Sequence, residues 1–156
     1  GRWGAMSGMT TDFILWDKWL AGMLADSQVI CGSSVQSGTY WIKPASYFGT
    51  YEKLLVIPIS STKAIAIESE RAGGINFKLS SISEGALVYT IDTLDAQHGS
   101  GVAVIRPLNR TGPIQIGSFI LADAPLKIGE SLTVWGYKIS VVESGAFGDV
   151  IKVEKA

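Results

Sequence analysis

Two strand-length runs set the architecture open to this chain. Residues 63–70, KAIAIESE, alternate so that Ile65 and Ile67 share a face, and residues 86–92, ALVYTID, are a short apolar run closed by an acid. Side chains that alternate with a period of two sit on opposite faces of a sheet, so runs of this length read as strands. The run 54–60 precedes the first of them, with Pro58 marking an edge or a bulge, and Ser60, Ser61 and Thr62 between the two predict a hairpin. Further strands are expected over 39–43, 101–108, 118–122, 131–134, 137–143 and 149–154, with tight connections at Gly136 and at 145–148. In the first of these, Tyr40 and Ile42 face one way and Trp41 the other. Residues 71–84, with Gly73-Gly74 and several serines, fit a covering loop. Strands at this regular spacing predict a mainly β fold, an antiparallel β-sandwich of jelly-roll-like form.

The N-terminal section reads differently. Thr11 can cap a helix and Asp12 places a negative charge in its first turn, after which Phe13, Trp16, Leu20, Met23 and Leu24 recur at three- and four-residue steps. That pattern predicts one amphipathic helix whose apolar stripe needs a large surface to cover it. A Gly/Ser linker over 32–38 ends the section. The expected division is therefore 1–32, a turn and an aromatic helix, and 33–156, a β-sandwich domain.

At 156 residues the chain can bury a proper core. Its net charge of -1 supplies no basic field for nucleic acid. The longest apolar run is interrupted by Asp17, Lys18 and Asp26 and is too short for a transmembrane segment. A hydrophobic fraction of 47% against 17% charged residues points to additional buried surface, through a partner or through self-association. Cys31 is the only cysteine, which excludes an internal disulfide framework.

The segments WGAMSG and DFILWDKWLAGML together resemble the portion that follows the zinc helix in the immune-inhibitor-A-like secreted zinc metallopeptidases, the M6-type peptidases. AIAIESER at 64–71, GALVYTIDT at 85–93 and DAPLKIGESLTVWGYKI at 123–139 continue the resemblance in the order that family has them. The resemblance implies that Met6 is the Met-turn methionine, a structural residue beneath a catalytic zinc, and that residues 1–32 are a remnant of the catalytic domain. It also implies secretion and, for the parent protein, protein substrates. The chain departs from the family in lacking His-Glu-x-x-His, the motif whose two imidazoles hold zinc and whose glutamate is the general base. With one histidine, His98, and one cysteine it carries no catalytic motif and is expected to hold no cofactor of its own, zinc belonging to the parent. The chain is thus read as a non-catalytic C-terminal fragment or processed product, completing the active-site floor and supplying a stabilising or substrate-presenting β-domain. Its expected partner is the N-terminal zinc-binding portion of the same precursor, or a second copy of itself.

Other residues bear chemistry in principle. Asp95, His98 and Ser100 share one loop, which reads as a solvated hairpin connection because a catalytic triad converges from separate rigid supports. Glu68, Glu70 and Arg71 read as a solvated strand end with an ion pair, although paired carboxylates can do acid–base work when burial separates their pKa values. Asp92 lacks the acidic neighbours that a calcium loop needs. Trp41, Tyr47, Phe48 and Tyr51 are aromatics that pack or, if exposed together, stack on sugar rings as in a carbohydrate-binding module. Phe13, Trp16, Trp19 and Met23 are expected at an intermolecular contact. Two rival roles follow, a self-associating structural or adhesive extracellular β-protein and a sugar-binding module.

Overall fold

The computed structural model describes residues 3, 12–32, 37–95, 101–112 and 120–156. Among these, one helix, α1 (Leu15–Leu20), precedes nine strands: β1 (Val29–Ile30), β2 (Gly38–Ile42), β3 (Leu54–Pro58), β4 (Lys63–Glu70), β5 (Gly85–Asp92), β6 (Val102–Val104), β7 (Ser131–Val134), β8 (Tyr137–Gly145) and β9 (Gly148–Lys155). They form two sheets, in the orders β1-β3-β4-β5-β6 and β2-β9-β8-β7. The fold is mainly β, as the alternation predicts, and its two sheets pack as a sandwich.

Between the sheets, Leu55 and Ile57 of β3, Ile65 and Ile67 of β4 and Val88 of β5 meet Ile42 of β2, Ile139 and Val141 of β8, and Ile151 and Val153 of β9. The opposite face of the first sheet is covered as well. There Leu54, Val56, Ala66, Leu87, Tyr89 and Ile91 pack against Ile14, Leu15 and Leu24, with Trp16 and Trp19 partly buried around them. The N-terminal section is therefore a third layer. A sheet buried on both faces explains why β3 is apolar without alternation.

The hairpin between β3 and β4 forms as expected, with Ser60 Oγ accepting from the backbone N–H groups of Thr62 and Lys63. Pro58 closes β3 beyond the two-residue β1 pairing, where no neighbouring strand needs its missing N–H. The expected boundary after residue 32 falls just past β1.

Several expectations need correction. The helix is six residues long rather than spanning the whole apolar stripe, and Ile14 at its N-terminal boundary makes no side-chain cap. Gly22, at φ +72, turns the chain away, with the N–H groups of Met23 and Leu24 both reaching back to Lys18 O. The covered face matches the predicted stripe only in part: Leu24 is buried and Trp16 half-buried, whereas Phe13, Leu20 and Met23 are exposed and Ile14 and Leu15 are buried instead. With Ile14 extended and Phe13 outside the helix, a 3.6-residue period does not run through them. The sheets are antiparallel as expected, apart from the two-residue β1, which runs parallel to β3. The strand expected over 101–108 stops at Val104, after which Arg106 and Arg110 turn to Asp123 and Glu130. Where a strand was expected over 118–122, residues 120–122 form a turn with Leu121 at φ +65, and 118 and 119 lie outside the described residues. Thr11, Met6 and most of the 32–38 linker lie outside them too.

Candidate functional site

Because β4 alternates, its upper face runs Ala64, Ala66, Glu68, Glu70, so both glutamates point at the N-terminal layer while Ser69 points at the second sheet. Both are buried, Glu68 completely and Glu70 at 4% exposure. They are not the solvated strand end expected from sequence. Glu68 Oε2 accepts from the backbone N–H of Leu15 at 2.8 Å and from the Tyr89 hydroxyl at 2.7 Å. Tyr89, diagonal to Glu68 on the neighbouring strand, in turn accepts from the N–H of Trp16 at 3.3 Å. Glu70 Oε2 accepts from Asn76 Nδ2 at 3.1 Å, and Asn76 Oδ1 accepts from the N–H of Asp12 at 2.8 Å. Three backbone amides of the segment before and at the start of α1 are thus held by side chains rooted in the sheet and in the covering loop.

The electrostatics follow from this burial. Burial raises the Glu68 carboxyl, while its contacts with Glu70, Tyr89 and the Leu15 amide pull it back. Glu70 is raised well above the carboxylate range, first by burial and then by the neighbouring Glu68, with Asp12 adding to the rise and Lys18 opposing it. Both carboxyls therefore hold their protons more tightly than a free carboxylate, Glu70 the more so, and they titrate as a coupled pair in which one charge opposes the other. Glu68 Oε1 has no hydrogen-bonding partner among the described residues. Burial, followed by the charge of Glu68, also drives the Tyr89 hydroxyl well above its ordinary value, so it remains a donor. Two carboxyls with separated affinities are the raw material of acid–base catalysis. Closed off from solvent on both faces of their sheet, these two serve to hold the N-terminal layer.

Arg71 does form an ion pair, but with Asp149 at 2.7 Å rather than with either glutamate. Asp149 also accepts from Ser69 and Ser144, both at 2.6 Å, and Arg71 donates to the carbonyls of Glu70, Gly145 and Gly148. This network ties β4 of one sheet to β8 and β9 of the other across the sandwich.

The four aromatics considered for sugar stacking are all exposed, and their contacts differ. Trp41 donates its indole N–H to Phe147 O, has Phe147 against its edge, and has Lys43 Nζ over its ring. Tyr51 lies near the same lysine, whereas Tyr47 and Phe48 line a separate cavity beside α1. Among the interface candidates, Phe13 and Met23 are exposed, while Trp16 and Trp19 are half-buried, in edge contact with each other at 5.6 Å. Trp19 Nε1 donates to Asp26. Met6, His98 and Ser100 lie outside the described residues, and Asp95 ends a turn begun by Asp92.

Sequence reasoning did not single out Tyr89, Asn76, Lys53 or Asp149. The available signal was that a run burying Ile65, Ala66 and Ile67 continues into Glu68 and Glu70 without a turn residue between them. Comparison of the chain with protein-family models, with curated proteins and with solved structures finds no match.

Proposed function

We propose that this chain is a non-catalytic β-sandwich scaffold that holds the Trp-Gly-Ala-Met-Ser-Gly turn in place, as the portion following the zinc helix does in an M6-like secreted zinc metallopeptidase. The observation that supports this reading is the capture of the Asp12, Leu15 and Trp16 amides by Asn76, Glu68 and Tyr89. The sheet thereby fixes residues 12–16, which follow Met6 in sequence, and an active-site floor would need such a support. The sequence has one histidine and one cysteine, fewer imidazole and thiolate ligands than the zinc helix of such a peptidase supplies with its partners. On this reading zinc is held by a partner portion bearing His-Glu-x-x-His, secretion and protein substrates are properties of the parent, and this chain contributes stability and presentation.

The test is to read the coding sequence upstream of Gly1 and to purify the endogenous protein with its zinc content measured. An in-frame or co-purifying His-Glu-x-x-His segment with one zinc per complex is expected. A native protein free of such a segment overturns the reading. Self-association as an adhesive β-protein is the second reading, favoured by Leu20 and Met23 at 68% and 58% exposure on the N-terminal layer. Sedimentation showing a monomer at high concentration removes it.

A further inference from the structure

Beside α1 lies a cavity of about 230 Å³ whose walls combine two kinds of surface. Leu15 and Leu24 form buried apolar wall, and Met23, Phe48 and Ile75 stand at the rim with exposures of 58%, 93% and 65%. Lys53, Lys18, Asp12, Gln28 and Ser46 supply the polar part, so the Asp12 carboxylate is the one negative group in the wall among the described residues. Lys18 is paired with Asp12. Lys53 is only 6% exposed, yet no carboxylate pairs with it among the described residues, and its ammonium donates to the backbone carbonyl of Tyr47.

A lysine ammonium has three N–H donors, and a buried cation without a counter-charge is costly. Burial and the neighbouring Lys18 both pull the Lys53 pKa down. An anion in the cavity would relieve both effects. The volume is below the roughly 300–1,000 Å³ of pockets for drug-sized ligands, so the occupant is compact, and the rim asks for an apolar tail. From this geometry we infer that the cavity binds a small aliphatic monocarboxylate, its head group on Lys53 and its chain between Leu24, Met23, Phe48 and Ile75. Lys18 adds charge from the side while remaining paired with Asp12. The inference does not depend on the peptidase-like reading.

Octanoate is the probe, with octanol as the uncharged control, titrated calorimetrically into the whole chain and followed in parallel by amide chemical shifts. Octanoate is expected to bind with a Kd of roughly a millimolar or tighter, shifting amides around Leu24 and Gly49, while octanol at equal concentration binds at least about tenfold more weakly. Lys53→Met should weaken octanoate by about tenfold or more, the contribution of one charge-assisted hydrogen bond. If Lys53→Met does not fold, Ile75→Glu, at an exposed rim position, replaces it and should weaken octanoate several-fold by like-charge repulsion. No binding, equal binding of octanoate and octanol, or unchanged affinity in the folded variants overturns the inference.

Discussion

Replacing Glu70 by glutamine isolates the proton that Glu70 retains. Both Glu68 and Glu70 hold their protons above the ordinary carboxylate range in the folded chain. Above that range the unfolded chain has released protons that the folded chain still binds. The stabilisation is therefore complete below the ordinary range and is lost as pH rises towards the folded values. Each proton so retained costs ~1.4 kcal/mol per pH unit. For a chain of this size that is a fall in Tm of roughly 3–6 °C per unit, from about pH 5 upward until Glu70 itself ionises. In Glu70→Gln the amide oxygen can still accept from Asn76 and the amide N–H can face Glu68 in place of the carboxyl proton. The titration of that position disappears.

Thermal unfolding followed by circular dichroism, in half-unit steps from about pH 5 to 8, should show wild-type Tm falling relative to the variant as pH rises, whatever the absolute offset between the two proteins. Asp123 and Glu130, held low by hydrogen bonds from Arg106 and Arg110, lose their contribution only as pH falls and are common to both. Parallel profiles, or a wild type that gains on the variant with rising pH, would refute the retained-proton argument.

Three further outcomes are expected. Tyr89→Phe removes both the donor to Glu68 and the acceptor for Trp16, so stability should fall by about 1.5–3 kcal/mol in chemical denaturation, and amide exchange at Leu15 and Trp16 should quicken before that of the sheets. Asp149→Ala leaves the Arg71 guanidinium buried without its partner and should cost about 3–5 kcal/mol, read from the same denaturation curves; a loss below 1 kcal/mol would count against a cross-sheet tie. Gly148→Ala places a Cβ 2.1 Å from Ile42 O at a backbone φ of +109, so it should lower Tm sharply, whereas alanine at Gly112, with nothing within 4 Å among the described residues, should leave it nearly unchanged.

The sheet was legible wherever one face alternated or a hairpin turn was explicit. β4 and β7 match their predicted bounds, and β2, β5, β8 and β9 begin or end within two residues of theirs. What period alone could not reveal was a third layer. Glu68 and Glu70 follow Ala66 with unbroken alternation, and nothing local distinguishes a polar face that meets water from one that meets a folded-back helix. The helix was overextended for a related reason. Phe13, Leu20 and Met23 fit a helical stripe with Trp16, but a six-residue helix covers only the sheet beneath it, and the extended Ile14 shifts which side chains point inward. Tyr89 was hidden inside an apolar strand because its ring packs as a hydrophobe while only its hydroxyl enters the polar network.

The buried carboxylates and the short helix explain one another. Six residues form too few internal hydrogen bonds to hold a helix on their own, and the N–H groups of its first turn have no intrahelical acceptors. The usual remedy, a side-chain cap at the N-terminal boundary, is missing because Ile14 stands there. Glu68 meets this need from the sheet, accepting from Leu15 directly and from Trp16 through the Tyr89 hydroxyl. Ala64 and Ala66, upstream on the same face of β4, are small enough to let the layer approach. Glu70 then keeps a second full charge out of the site by retaining its proton. An apolar residue of similar size at position 68 would therefore not be the neutral exchange sometimes found for a buried ion pair. It would save the desolvation of one carboxylate but leave the Leu15 N–H and the Tyr89 hydroxyl buried without an acceptor, at about 1–3 kcal/mol each. The N-terminal layer would lose its fixed position on the sheet while the sandwich beneath it stayed folded.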